Sequence, residues 1–173
     1  QNSHDTGGGS GTTNQVDDPL SRIDSSTLPA GANPCRAPTF GEVQDVTDGD
    51  TIRVMTGRGS ERVRLIGIDS PEVDHDGDGD ECWANEATDF VRDTLEGTNV
   101  WLTFDAECED YYERTLAYVH VGVGDRGFFQ RTLLLDGFAE AFSVSPNTAF
   151  ASQFSADEQI ARDNEQGQWS ACP

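Results

Sequence analysis

Arg64-Leu65-Ile66-Gly67-Ile68-Asp69-Ser70-Pro71-Glu72 is the stretch on which the reading of this chain turns. Its first half continues an alternation that begins at Arg62. Val63, Leu65 and Gly67 fall on one side and Arg62, Arg64 and Ile66 on the other, the period of a strand over Arg62–Ile68. Its second half sets Asp69 and Glu72 three residues apart across a rigidifying proline. Upstream, strands are predicted over Val43–Val46 and Thr51–Met55, flanking a turn at Asp48-Gly49. Downstream, Trp83, Ala87, Phe90, Val91 and Leu95 recur at helical spacing, and Gly97 ends that helix. Val100–Phe104 and Leu116–Val121 read as two more strands. Phe128–Leu135 and Ser152–Asn164 read as helices, with a short extended piece between them. Five short strands and three α-helices give an α+β chain dominated by β. They suit a five-stranded β-barrel of the OB-fold type, although periodicity alone does not fix that choice.

The chain has 173 residues, enough for one domain with a useful core. Asp and Glu number 32 against 11 basic residues, for a formal charge of −21, and every basic residue is Arg. Such a charge suits either a disordered chain or a folded domain adapted to concentrated salt. At molar ionic strength the Debye length is about 3 Å, so surface carboxylates repel one another little. The absence of Lys favours the second reading, a halophilic protein of haloarchaeal style. The charge argues against gripping nucleic acid through a broad basic face, but not against nucleic acid as a substrate. No apolar run approaches the ~20 residues that a membrane-spanning helix needs.

Residues 1–37 are poor in large apolar side chains and include Gly7-Gly8-Gly9-Ser10-Gly11-Thr12-Thr13, so they read as a flexible tether ahead of a domain over 38–173. Such a tether suits a lipid anchor upstream of Gln1. Cys35, Cys82, Cys108 and Cys172 form no CxxC pair. An even number without zinc spacing points to two disulfides and an extracellular or cell-surface location. Of the three possible pairings, Cys35–Cys172 with Cys82–Cys108 is favoured, the first tying the two ends of the domain.

Three motifs stand in series: Asp48-Gly49-Asp50-Thr51, the opening stretch Arg64 to Glu72, and Asp110-Tyr111-Tyr112-Glu113-Arg114-Thr115-Leu116-Ala117-Tyr118. In order and spacing they resemble the staphylococcal nuclease (thermonuclease) family, with further agreement at Glu86-Ala87, Gly137-Phe138-Ala139 and Trp169-Ser170. The resemblance covers about 40–170. It implies an OB-fold nuclease that uses Ca2+ on DNA and/or RNA. Separately, the chain is expected to be a monomer. By carry-over, Asp50, Asp69 and the Ser70 backbone carbonyl would hold calcium, with Asp48 a carboxylate behind them. Glu72 would be the general base, Arg64 and Arg114 the phosphate clamp, and Tyr112 a substrate contact. Chemistry agrees with this assignment. Hydrolysing a phosphodiester takes an activated water and positive charge for the transition state. A hard cation wants oxygen ligands, and guanidinium forks match phosphate oxygens.

Two positions depart from the family pattern. Glu113 stands where glycine is usual, beside Arg114, where it could pair with that guanidinium. Ser143 replaces a stacking tyrosine, with Phe142 adjacent. Asp74, Asp76 and Asp78 followed by Gly79 fit the first half of a second calcium loop, although Glu86 comes one residue late for its end. His4, His75 and His120 lack partners at catalytic spacing and are given no role. Two rivals remain: a catalytically inactive nucleic-acid-binding module of the same fold, and an extracellular calcium-binding structural module built on Asp74–Asp80.

Overall fold

A computed structural model of the chain describes residues 18–173. Five strands close a barrel in the order β1-β2-β3-β6-β5: β1 (Thr39–Asp48), β2 (Thr51–Thr56), β3 (Gly59–Leu65), β5 (Asn99–Thr103) and β6 (Thr115–His120). All pairings are antiparallel except β3 with β6. Two short strands, β4 (Gly67–Asp69) and β7 (Glu140–Phe142), pair outside the barrel. The helices are α1 (Ala84–Leu95), α2 (Phe129–Leu135), α3 (Ala151–Asp163) and a final turn, α4 (Gln168–Ala171).

Alternation along the strands fills the barrel. Ile52 and Val54 of β2, Val63 and Leu65 of β3, and Val100 and Leu102 of β5 are all buried. Val43 and Val46, three apart on β1, both reach the core because the register with β2 shifts between them, skipping Gln44. A second shift after Val46 precedes the turn that carries Asp48 and Asp50. The helical stripe Ala84, Ala87, Val91 and Leu95 is buried as α1 packs on β1, and Gly97 (φ 78°) ends the helix in the left-handed region. Phe90 is half-buried and stacks on Phe138 with centroids 4.3 Å apart.

Three expectations need correction. The strand read as Arg62–Ile68 is two strands. Gly67 (φ 83°) turns the chain out of the barrel, and β4 pairs with β7 instead. Leu65, Ile66, Gly67 and Ile68 are buried in succession across the corner, so the strand reading runs straight through it.

The tether boundary at residue 37 also moves. Residues 1–17, with the glycine run and any upstream anchor, lie outside the described residues. From Asp18 onward the chain packs along β5. Two 3₁₀ turns, Pro19–Arg22 and Ser25–Thr27, are capped by Asp18 and Asp24, and Leu20 and Leu28 are buried. Outward-facing residues of β5 anchor this segment. Asn99 donates to Asp18 (2.8 Å), Trp101 Nε1 to the Leu20 carbonyl (2.8 Å) and Thr103 Oγ1 to the Pro29 carbonyl (2.6 Å). Few apolar residues suffice because β5 supplies polar partners.

Finally, the disulfides are Cys35–Cys108 and Cys82–Cys172, not Cys35–Cys172 and Cys82–Cys108. The N-terminal segment is led to the β5–β6 connection, where the Cys35 N–H donates to the Asp105 carbonyl (2.8 Å). That places Cys35 beside Cys108 and leaves Cys172, beyond α4, to Cys82 ahead of α1.

Candidate active site

The β1–β2 turn, the end of β3 and β4 bring the first two motifs together. Gly49 lies where a Cβ would come within 2.7 Å of Ser70, so the turn seats directly on the segment after β4. The buried Asp50 carboxylate accepts from the Ser70 N–H (3.1 Å) and from Thr51 Oγ1 (3.0 Å). The Asp48 carboxylate accepts from the Asp50 N–H (3.1 Å) and so orients the turn. Arg64 Nη2 lies 3.4 Å from Asp50 Oδ2 and 3.6 Å from Asp69 Oδ1. The same guanidinium donates to the carbonyls of Ile68 (3.0 Å) and Leu65. A half-buried arginine is therefore held at the corner between β3 and β4, shared by two carboxylates.

Negative charge is crowded here. Burial first, then the Asp50 charge, push the Asp48 carboxyl up to about 7. Burial and Asp50 push Asp69 up to about 6 against the opposing pull of Arg64, with Glu72 and Glu81 adding to the rise. One guanidinium does not neutralise this group of carboxylates. Their all-oxygen donor chemistry, short of positive charge, fits a hard divalent cation. Among the described residues no three His, Cys, Asp or Glu side chains form a complete ligand set. Asp50, Asp69 and the Ser70 carbonyl offer part of an oxygen sphere, of a kind usually completed by water.

Arg114 enters from the β5–β6 connection. Its Nε donates to Asp110 Oδ2 (2.7 Å), while Asp110 Oδ1 accepts from the N–H groups of Tyr112 (3.0 Å) and Arg114 (2.9 Å). Asp110, four residues back, is thus the partner of Arg114, in place of the adjacent Glu113. Glu113 keeps the turn with a left-handed φ of 61°. Arg64 and Arg114 both line a cleft of about 280 Å³, with Asp110, Glu107, Phe142 and Asn147 also on its wall. Tyr112 is exposed, 5.7 Å from the Arg114 guanidinium.

Glu72 is exposed at the neck of the 72–81 loop. Its N–H donates to Glu81 Oε2 (2.8 Å) and its carbonyl accepts from the Glu81 N–H (3.0 Å). The structure sets its charge near Asp69 but gives its carboxylate no fixed partner among the described residues. Within the loop, Asp74 accepts from the N–H groups of Asp76 (2.6 Å) and Gly77 (2.8 Å), and Asp80 accepts from the Asp74 N–H (2.8 Å). Asp74 thus organises the loop through its own backbone, and Asp74, Asp76 and Asp78 do not converge as a ligand set. Ser143 is half-buried after β7, and the neighbouring Phe142 presents an exposed ring to the cleft.

Three participants went unread in the sequence. Glu81 closes the loop neck, and Asp110 fixes Arg114. Buried Gln130 of α2 accepts from the Val119 N–H (3.0 Å) and donates to the carbonyls of Ala117 (3.1 Å) and Ile66 (3.3 Å), bracing the β3–β4 corner. Asp110 was recoverable from its i, i+4 spacing to Arg114. Gln130 looks like any helical polar residue.

A family model described as staphylococcal nuclease homologue matches residues 62–171. The thermonuclease of Staphylococcus hyicus is 31% identical over 141 residues, covering 82% of this chain and 81% of that protein. The thermonuclease of Staphylococcus intermedius is 37% identical over 108 residues, 62% of each chain. Endonuclease YncB of Bacillus subtilis (strain 168) is 34% identical over 125 residues, 71% of this chain and 58% of that one.

Proposed function

The chain belongs to the staphylococcal nuclease family, and from that premise we propose that it is a calcium-dependent nuclease that hydrolyses phosphodiester bonds of DNA and/or RNA. One observation carries the reading: a guanidinium shared by Asp50 and Asp69 stands at a cleft that also holds Arg114. Asp50, Asp69 and the Ser70 carbonyl would hold the calcium ion, which when bound supplies positive charge beside the phosphate. Glu72, open to solvent, takes a proton from water as the water oxygen attacks phosphorus; the bond from phosphorus to the 5′ oxygen breaks, and that oxygen leaves and takes up a proton to become a hydroxyl. Arg64 and Arg114 present forked donors to the phosphoryl oxygens as charge builds on them. Asp110 fixes the Arg114 fork, and Asp48 holds the turn. Tyr112 packs against the bound nucleotide. By family resemblance, cleavage is indifferent to the sugar and leaves 3′-phosphates.

Two disulfides suit an oxidising exterior. Thirty-two acidic residues without a single Lys suit concentrated salt. We therefore place the enzyme outside the cell, secreted or tethered, acting at high ionic strength.

The test is to incubate plasmid and RNA with the protein in high salt, with calcium or with EDTA, beside a Glu72→Gln variant. Degradation should require calcium, and the variant should lose at least about 10²-fold in kcat with its unfolding midpoint unchanged. Near-normal activity in Glu72→Gln would sink the general-base assignment. Binding without cleavage by the wild type would indicate an inactive module. Calcium binding with neither would indicate a structural one.

A further inference from the structure

Arginines are scarce in this chain, and their placement is uneven. Arg36, Arg53, Arg58, Arg62, Arg64 and Arg114, six of the 11, line three adjoining depressions on one side of the barrel. The first is the cleft already described. A second, of about 390 Å³, is lined by Arg62, Tyr112 and Arg114. A third, of about 500 Å³, is lined by Arg36, Arg53, Arg58 and Arg62, again with Tyr112. They adjoin through shared walls: Arg114 lines both the first and the second, and Arg62 and Tyr112 line both the second and the third.

Arg53 and Arg62 are direct cross-strand partners on the outer face of the β2–β3 hairpin, and both are exposed. Like charges directly opposite one another destabilise a sheet. Yet Arg53, Arg58 and Arg62 form no ion pair among the described residues, in a chain with 32 carboxylates. Arg53 reaches only Ser60 Oγ (3.3 Å), and Asp45, its partner on β1, does not pair with it. Glutamates are present at the third depression. Glu61 is engaged by Arg36 (3.0 Å), Thr56 (2.6 Å) and Thr115 (2.9 Å), while Glu109 and Glu113 also line the depression without pairing to Arg53, Arg58 or Arg62. Three unpaired guanidiniums on one face bring a cost to folding that an anionic ligand would remove. Tyr112 is 69% exposed beside them, and Tyr111 is 94% exposed. A positive groove with exposed aromatic rings is the arrangement that holds a single nucleic-acid strand, phosphates on the cations and bases on the rings.

We propose that the outer face of the β2–β3 hairpin, from Arg58 through Arg53 and Arg62 to Arg114, is a track for the single strand extending beyond the scissile phosphate, with Tyr112 as a stacking platform. The ligand class rests on the nuclease reading above.

The test is fluorescence anisotropy with a labelled single strand of about 20 nucleotides, longer than the ~4–16 that one such fold covers, in EDTA so that nothing is cleaved. In the Arg53→Gln/Arg58→Gln/Arg62→Gln variant the affinity should fall at least about 10-fold, and the slope of log affinity against log salt should become shallower by about 2, from ~0.7 per lost phosphate contact. The corresponding triple Arg→Lys variant, which keeps the charges, should recover most of the affinity and guards against a folding defect in the first. Equal affinity and slope in wild type and Gln variant, including no binding by either, overturns the track. An equal loss on a duplex of the same length overturns the single-strand assignment. Arg-dependent binding by a wild type that never cleaves would defeat the enzymatic reading and leave the track standing. Cleavage with Arg-independent binding would do the reverse.

Discussion

Glu113 sits at φ 61°, a conformation that costs an L-residue about 1–2 kcal/mol. Asp110 maintains it. Its carbonyl accepts from the Glu113 N–H (3.1 Å), and its carboxylate ties down Tyr112 and Arg114 on either side. The loss of glycine was legible in the sequence, but its consequence was not. Adjacency does not say which of two nearby carboxylates meets a guanidinium across a turn. His120 gives a second residue-scale result. It is buried on β6, its Nε2 is 2.8 Å from Thr103 Oγ1, and desolvation lowers its pKa to about 4, with the Pro29 carbonyl only partly opposing this. The unfolded chain takes up the proton near 6.5, so between 6.5 and 4 the unfolded state binds more protons than the folded one. The contribution of neutral His120 is therefore complete above 6.5 and lost as pH falls toward 4, by about 3 kcal/mol. Asp48 and Asp69, whose carboxyls are raised, titrate in the same window with the opposite sign, so the contribution is read as a difference: urea unfolding should show the wild type losing about 3 kcal/mol more than His120→Gln between pH 6.5 and 4.

The β3–β4 corner is the element on which the site depends. It carries Arg64 on one side and Asp69 on the other, and Gly67 makes the bend between them. A Cβ at Gly67 would run into the Phe154 ring of α3. Gly67→Ala should therefore cost about 3 kcal/mol, from a left-handed residue and an overpacked contact together. Activity should fall with it even where the variant remains folded, because β4 positions Asp69. A thermal midpoint and a kcat measured well below it would check both, and wild-type values for either would refute this account of the corner. Helix and strand types along the chain were legible because their apolar periods differ. The corner was hidden because Gly67 obeys the strand period that it interrupts.

Across the whole molecule, two disulfides tie together segments that lie outside the barrel strands. Cys35–Cys108 fixes the 18–37 segment to the β5–β6 connection that bears Arg114, and Cys82–Cys172 joins the end of the 72–81 loop to the segment after α4. Its loop of 90 residues predicts a loss of about 4.6 kcal/mol on Cys82→Ser/Cys172→Ser by chain entropy. Chemical denaturation at equal salt would measure this. A loss below about 1 kcal/mol would mean that α4 is held by its packing, including the Arg162 guanidinium 3.8 Å from the Trp169 ring, and not by the bond.

By itself the sequence determined the element types, the barrel class, the family and the identity of the charged residues, since each is carried by local period or by motif spacing along the chain. Only the tertiary structure decided that 18–37 belongs to the domain, which cysteines pair, that Asp110 holds Arg114, and that six arginines line three adjoining depressions. These are relations between residues far apart in the chain or on different sides of a turn. Chain closure and side-chain direction set them, and neither leaves a periodic trace in the order of amino acids.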